Sequence, residues 1–246
     1  MQLAQSASPL EERFLPSEWQ FKALPYVWAI SIEGDSTVKG QDSDVDIRFK
    51  DILEQLNFGV FLEGEARKER FGLFANVLYA DLETDQGTGP LDIEVGTKVF
   101  MGGGGASYRL GPYPLESGSG ALVLDPYAGF RYTLIDVDLD ISGQRNESAD
   151  QQWVDPIVGL RSILQLTPRW NLTAFGDVGG FGVGSDFTWQ AAGVVGYRFG
   201  LFGEGDAQVL GGYRAIGQDY SDGDGDSEFK WDVVYHGPVL GLSVTF

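Results

Sequence analysis

The chain has 246 residues, with 36 acidic against 17 basic side chains, a net charge of −19, 35 glycines and no cysteine. Such acidity excludes nucleic acid as a partner, because phosphates demand a basic footprint. The missing cysteine excludes disulfides, thiolate catalysis and Cys-based zinc sites.

Aromatics at 13% are too many for a disordered chain. The glycines follow no G-X-Y period and sit among alternating apolar residues, which suits strands and close backbone contacts. At the start, Met1-Gln-Leu-Ala-Gln-Ser-Ala lacks the basic and apolar regions of a signal peptide, so an exported chain would have lost its signal before this numbering begins. Residues 1–25 are expected to lie in the periplasm. The longest uncharged stretch, 233–246, is too short and Gly-rich for a spanning helix of about 20 residues.

From Tyr26 onward, strand-like segments are expected near 26–37, 57–67, 71–82, 91–110, 121–140, 153–166, 169–182, 186–199, 204–218 and 230–246. Their connections alternate in character. Arg67-Lys-Glu-Arg, Thr167-Pro-Arg and Gly200-Leu-Phe-Gly are tight, and 112–120 is somewhat longer. On the other rim, 39–56, 83–90, 143–152 and 221–228 are long and polar, with 183–185 the short exception. Short turns on one rim and long polar loops on the other are the pattern of an outer-membrane barrel, with the short rim facing the periplasm.

The segment 186–199 alternates most clearly. Phe187, Trp189, Ala191, Gly193, Val195, Tyr197 and Phe199 make one face, aromatic at both ends; Thr188, Gln190, Ala192, Val194, Gly196 and Arg198 make the other. Trp189 to Tyr197 spans roughly 20 Å at a tilt of about 40°, near the height of an apolar membrane band. Leu172, Ala174, Gly176 and Val178 repeat the pattern, as do Leu240, Leu242, Val244 and Phe246. The expected fold is a closed, antiparallel, up-and-down all-β barrel of ten strands, with eight or twelve as alternatives.

The ending Tyr235-His-Gly-Pro-Val-Leu-Gly-Leu-Ser-Val-Thr-Phe resembles the C-terminal signal strand by which such barrels are recognised for insertion, with Phe246 its terminal aromatic. Trp153-Val-Asp-Pro-Ile-Val-Gly-Leu-Arg, Gly176-Asp-Val-Gly-Gly-Phe-Gly-Val-Gly-Ser-Asp and Gly196-Tyr-Arg-Phe resemble segments of a family of small, largely uncharacterised proteobacterial outer-membrane proteins. The resemblance covers most of 26–246. It implies the outer membrane as location, its lipid and lipopolysaccharide as surroundings, and the barrel-assembly machinery as a partner during insertion. It carries no catalytic motif.

Two features depart from a bare barrel. Phe49, Ile52, Leu53 and Leu56 fall at helical spacing, so the first long loop is expected to hold a short amphipathic helix. Burying each such side chain is worth about 1.5–3 kcal/mol, enough to dock a helix that could not persist alone. Its expected place is the mouth of the barrel; resting on the rim against lipid is the alternative. Gly102-Gly-Gly-Gly interrupts the fourth segment, and Glu94 and Lys98 share one parity while Arg109 has the other. A β-bulge there would explain the change; a true turn would give twelve strands.

Hairpin registers place Glu33, Glu63, Glu65, Asn76, Lys98, Arg131, Arg161 and Asp177 in an inward belt, acidic on strands one and two and basic on four to six. Buried charges must be paired or solvated. A ten-stranded lumen is narrow enough for such side chains to meet, so a salt-bridged plug is favoured over a solute-selecting constriction. A structural role or gated passage of small polar solutes follows.

His236 is the only histidine, and its parity with Phe246 places it on the lipid-facing side. As a general base it would make the chain a lipid-modifying hydrolase, but that needs a serine and an acid within reach. Ser31 is expected to point inward, so an interfacial structural histidine is favoured and no catalytic residue is assigned. Asp222-Gly-Asp-Gly-Asp-Ser-Glu has the oxygen-rich start of a calcium loop, but position 12 is Val233 where a glutamate is required. A solvated acidic loop is favoured there, with weak divalent-cation binding the alternative. No cofactor and no metal site are expected, since no phosphate-cradling or zinc-protease motif is present.

Overall fold

The computed structural model describes residues 9–38, 41–85, 93–116, 120–141, 147–200 and 206–246. In chain order its helices are α1 (Pro9–Phe14) and α2 (Phe49–Gln55). Its strands are β1 (Gln20–Trp28), β2 (Ser31–Val38), β3 (Gln41–Ile47), β4 (Leu56–Lys68), β5 (Phe71–Asp85), β6 (Ile93–Tyr108), β7 (Leu110–Pro114), β8 (Ala121–Ile141), β9 (Glu147–Gln165), β10 (Trp170–Gly180), β11 (Phe187–Gly200), β12 (Asp206–Asp222) and β13 (Phe229–Thr245). β1 and β2 are two halves of one barrel strand. β13 closes the ring by pairing with β12 on one side and with β1, then β2, on the other. β3 prolongs β2 as a hairpin and β7 adds to β8, leaving ten strands in the barrel, all antiparallel.

The outer surface shows why this sequence closes in lipid. On β4 and β5, Val60, Leu62, Leu73 and Val77 are exposed large apolar residues lying between Phe71 at one end and the paired rings of Phe58 and Tyr79 at the other. Phe71 to Tyr79 is eight steps, roughly 20 Å of height in a tilted strand. On the C-terminal side the rings of Trp170 and Tyr197 meet at 4.9 Å, and those of Phe21 and Phe246 stack at 6.2 Å. β8 has 21 residues and β9 has 19, beyond the 9–11 that cross a bilayer, so the barrel continues past the lipid on the long-loop side.

Three expectations change. The first barrel strand begins at Gln20 rather than near 26, and α1 precedes it within the segment assigned to the periplasm. No bulge interrupts β6: its register with β5 runs unbroken from Tyr108 to Glu94. Gly103 and Gly105 continue the inward parity of Met101 and Ser107, and twelve strands are excluded by the same continuity. The parity change read from Lys98 and Arg109 is real but needs no bulge. Past the lipid both faces can carry charge, so Lys98 simply points outward, in register with Asp81 and Asp136. Of the loops expected at 83–90 and 143–152, residues 86–90 and 143–146 lie outside the described residues, while 83–85 belong to β5 and 147–152 to β9.

Candidate functional site

The interior divides into three levels. At the end with the short turns α1 enters the lumen. Phe14 is 5% exposed and packs on Ala121 and Val123 of β8 and Ile163 of β9. Arg109 donates from Nη1 to the Phe14 carbonyl at 3.0 Å, holding the helix end inside the ring.

Above it lies a charged level. Asp125, 0% exposed, accepts from Arg109 Nε at 2.8 Å and Nη2 at 2.6 Å, from Arg161 Nη2 at 2.9 Å and from Arg67 Nη2 at 3.3 Å. Glu65 accepts from Arg67 Nε and Arg161 Nη1, each at 2.7 Å, with Lys22 Nζ at 3.6 Å. Arg161 on β9 therefore reaches β4, four positions away around a ten-membered ring. A second group centres on Asp177, which accepts from Arg131 Nη2 at 2.7 Å, Tyr127 Oη at 2.9 Å and Gln190 Nε2 at 3.0 Å. Arg214 continues the chain of contacts, donating to Gln190 Oε1 and, at 2.8 Å, to the Tyr26 hydroxyl. Charge-assisted, multidentate bonds of this kind offset the cost of taking ions out of water.

The third level is apolar. Trp28, Ile30, Ile32, Leu78, Met101, Ile216, Val233, Tyr235 and Val239 form one buried cluster, with Ile52 of α2 inserted into it. Beside it Trp153 stacks on Tyr220 at 4.1 Å with Ile135. Gln218 donates to Thr133 Oγ1 at 2.7 Å, joining β12 to β8 across the interior. Arg131 Nη1 likewise reaches Thr188 Oγ1 of β11 at 2.8 Å. Side chains from strands three and four places apart around the ring thus bridge the interior.

Of the expected belt, Glu63, Glu65, Asn76, Arg131, Arg161 and Asp177 line one cavity of about 510 Å³. Glu33 and Lys98 do not. Glu33 lies in register with Val234 and Asp46, on the outer side, 3.4 Å from His236 Nε2. The reason is that the apolar face of the first strand (Trp28, Ile30, Ile32) turns inward to meet the apolar level, which puts the odd-numbered residues outside. Asn76 stands in register with Glu63 and Gly103 rather than with Lys98. Acidic and basic walls are not segregated, since Lys22, Arg67 and Asp125 intermix with the expected charges. Arg67 falls outside the expected belt because it reads as the start of a turn, and Arg109 enters the sequence reading for its parity alone. Asp125 could have been found from its hairpin position opposite Arg161.

In α2, Ile52 is buried, Phe49 is half-buried and Leu53 is 55% exposed, while Leu56, the first residue of β4, is half-buried, so one side chain rather than four forms the insertion. His236 faces outward; Nδ1 lies 2.6 Å from the Tyr213 hydroxyl. Ser31, expected inward, is instead in register with His236, but its hydroxyl accepts from the Phe49 amide at 3.1 Å. Among the described residues no serine hydroxyl bonds the imidazole, and no group of three or more acidic or histidine side chains is placed to hold a metal.

No protein-family model matches the chain, and a comparison with curated proteins finds no match. Solved structures match through their fold. The outer-membrane protease OmpT from Escherichia coli is 10% identical over 98% of this chain and 99% of its own, with a TM-score of 0.53. Ail of Yersinia pestis, solved with the heparin analogue sucrose octasulfate, is 11% identical over 93% and 98%, with a TM-score of 0.44. Neisserial surface protein A is 13% identical over 93% and 97%, with a TM-score of 0.35. The chain is an outer-membrane β-barrel. Its exposed apolar belt and polar lower lumen are what that architecture requires in lipid.

Proposed function

We propose that this barrel is closed to the outside and has an architectural role in the outer membrane rather than that of an open porin. The observation that carries this is the apolar level with Ile52 at its top, which together with the Trp153–Tyr220 stack occupies the lumen on the long-loop side. A path for ions would have to pass buried tryptophan, isoleucine and methionine and the Gln218–Thr133 bond that spans the interior, and hydrophobic constrictions stop conduction by expelling water.

A second reading, gated passage of small polar solutes, is favoured by one feature. The cavity below the seal is open at its periplasmic rim, where Glu12 and Asp206 line it and are exposed. The closure then depends on α2, seven residues long and anchored by one buried side chain. Planar-bilayer recording separates the readings. The intact protein is expected to be electrically silent, and an Ile52→Asp variant that conducts in bursts would favour the gate. Large, steady, porin-like conductance of the unaltered protein would refute closure. The hydrolase alternative lacks a serine on the imidazole, so His236 is read as an interfacial partner of Tyr213 and Glu33.

A further inference from the structure

The closed upper lumen leaves a volume below it that the architectural reading does not use. It is about 510 Å³, within the range of preformed small-molecule pockets. Phe175, Val194, Leu210 and Val239 face it from β10 to β13, interleaved with Asp177, Arg198 and Arg214 of the same strands.

In a chain of net charge −19, eight lysine and arginine side chains but only five carboxylates line this space, with Asp125 behind them. One of the eight keeps a nitrogen without a hydrogen bond among the described residues. Arg198, at the periplasmic end of β11, has Asp206 at 3.9 Å as an ion-pair neighbour, and its Nη1 is buried with no hydrogen-bond partner among the described residues. Arginine carries five N–H donors in a fixed fork suited to a carboxylate, and a buried donor left unmade is costly. A buried donor without a bond, in a cavity of net positive lining that also presents apolar side chains, describes a complementary solute: an anionic head and a short apolar tail.

We propose that the periplasmic half of the lumen binds a small amphipathic carboxylate, its head on Arg198 and its tail against Val194, Leu210 and Val239. The solute enters from the periplasm, between α1 and the rim. Binding and closure are separable, because one is read by affinity and the other by conductance.

The test uses the full chain folded in lipid nanodiscs, titrated calorimetrically with hexanoate against empty nanodiscs. Butyrate, acetate and hexan-1-ol serve as comparison probes. Saturable hexanoate binding is expected, about fifteenfold tighter than butyrate, since each buried methylene contributes about a factor of four. Hexan-1-ol, with the tail and no charge, is expected to bind at least tenfold more weakly. Arg198→Gln should weaken hexanoate at least tenfold, with Arg198→Lys recovering part of the loss. Leu210→Trp, which fills the tail space and leaves the cation intact, should weaken it comparably; both are assayed on heat-modifiable, folded protein. No saturable binding, equal affinity for hexan-1-ol, or variants that bind as the unaltered protein does would overturn the proposal. So would loss in Arg198→Gln with Leu210→Trp unchanged, since the anion would then sit at the rim and not in the pocket.

Discussion

Asp125→Ala removes the carboxylate on which Arg67, Arg109 and Arg161 converge. Asp125 has no solvent exposure, and the three guanidinium groups are 4%, 7% and 15% exposed, so water cannot readily replace it. Deleting one partner of a buried ion pair typically costs about 3–5 kcal/mol, because the remaining charge is left uncompensated. Here three cations lose a shared partner and Glu65 can still serve two of them, which keeps the expected cost near that range rather than a multiple of it. Urea unfolding in detergent micelles, followed by tryptophan emission and by heat-modifiable migration, reads the change from the midpoint. Asp206→Ala is the internal contrast. That carboxylate is 59% exposed and 3.9 Å from Arg198, so its loss should cost less than about 1 kcal/mol. Equal, small effects of the two substitutions would refute the view that the charged level holds the lumen together. A cycle of Asp125→Ala with Arg109→Ala should show strong coupling, since the single losses share one interaction.

Phe14→Ala empties the contact with Ala121, Val123 and Ile163, a truncation costing about 3–5 kcal/mol where the side chain is fully packed. The expected result is release of α1, seen as protease cleavage before Gln20, with the barrel still heat-modifiable. His236→Ala is expected to leave phospholipid and lipopolysaccharide turnover unchanged at background, and turnover lost with the histidine would restore the hydrolase reading. Past the lipid, Asp44, Asp35, Asp232 and Asp219 stand directly opposite one another across β3, β2, β13 and β12. Like charges so placed repel, so Asp232→Asn should stabilise this outer hairpin region by about 0.2–1 kcal/mol, read as slower amide exchange in β2 and β13.

The barrel was legible because membrane strands must alternate, and 187–199 and 240–246 do so without a break. Loop asymmetry points to a membrane barrel, and the terminal phenylalanine resembles an insertion signal. What failed was the assumption that the apolar face is always the outer one. It holds at Leu172 and Val195, inside the lipid band, and reverses at Trp28, Ile30 and Ile32, where the strand has passed the lipid and the lumen is apolar. Glu33, Ser31 and Lys98 were misplaced for the same reason. The charged belt was recovered in part, since Glu65, Arg131, Arg161 and Asp177 lie within the lipid-spanning height where the rule applies. Arg109 depends on how the chain turns after β6, a tertiary fact that no local pattern encodes, whereas Asp125 is within reach of the hairpin register opposite Arg161.

The chain's lack of cysteine allows a direct test of a lumen shut on the outside and open to the periplasm. Single cysteines at Ala192, which lines the cavity, and at Asp42, in the outer hairpin, would be exposed to a charged maleimide too large for general porins. The label is applied to intact cells and then to cells whose periplasm has been opened. The expected result is labelling of Asp42→Cys in both, and of Ala192→Cys only after the periplasm is opened. Rapid labelling of Ala192→Cys from outside in intact cells would contradict it.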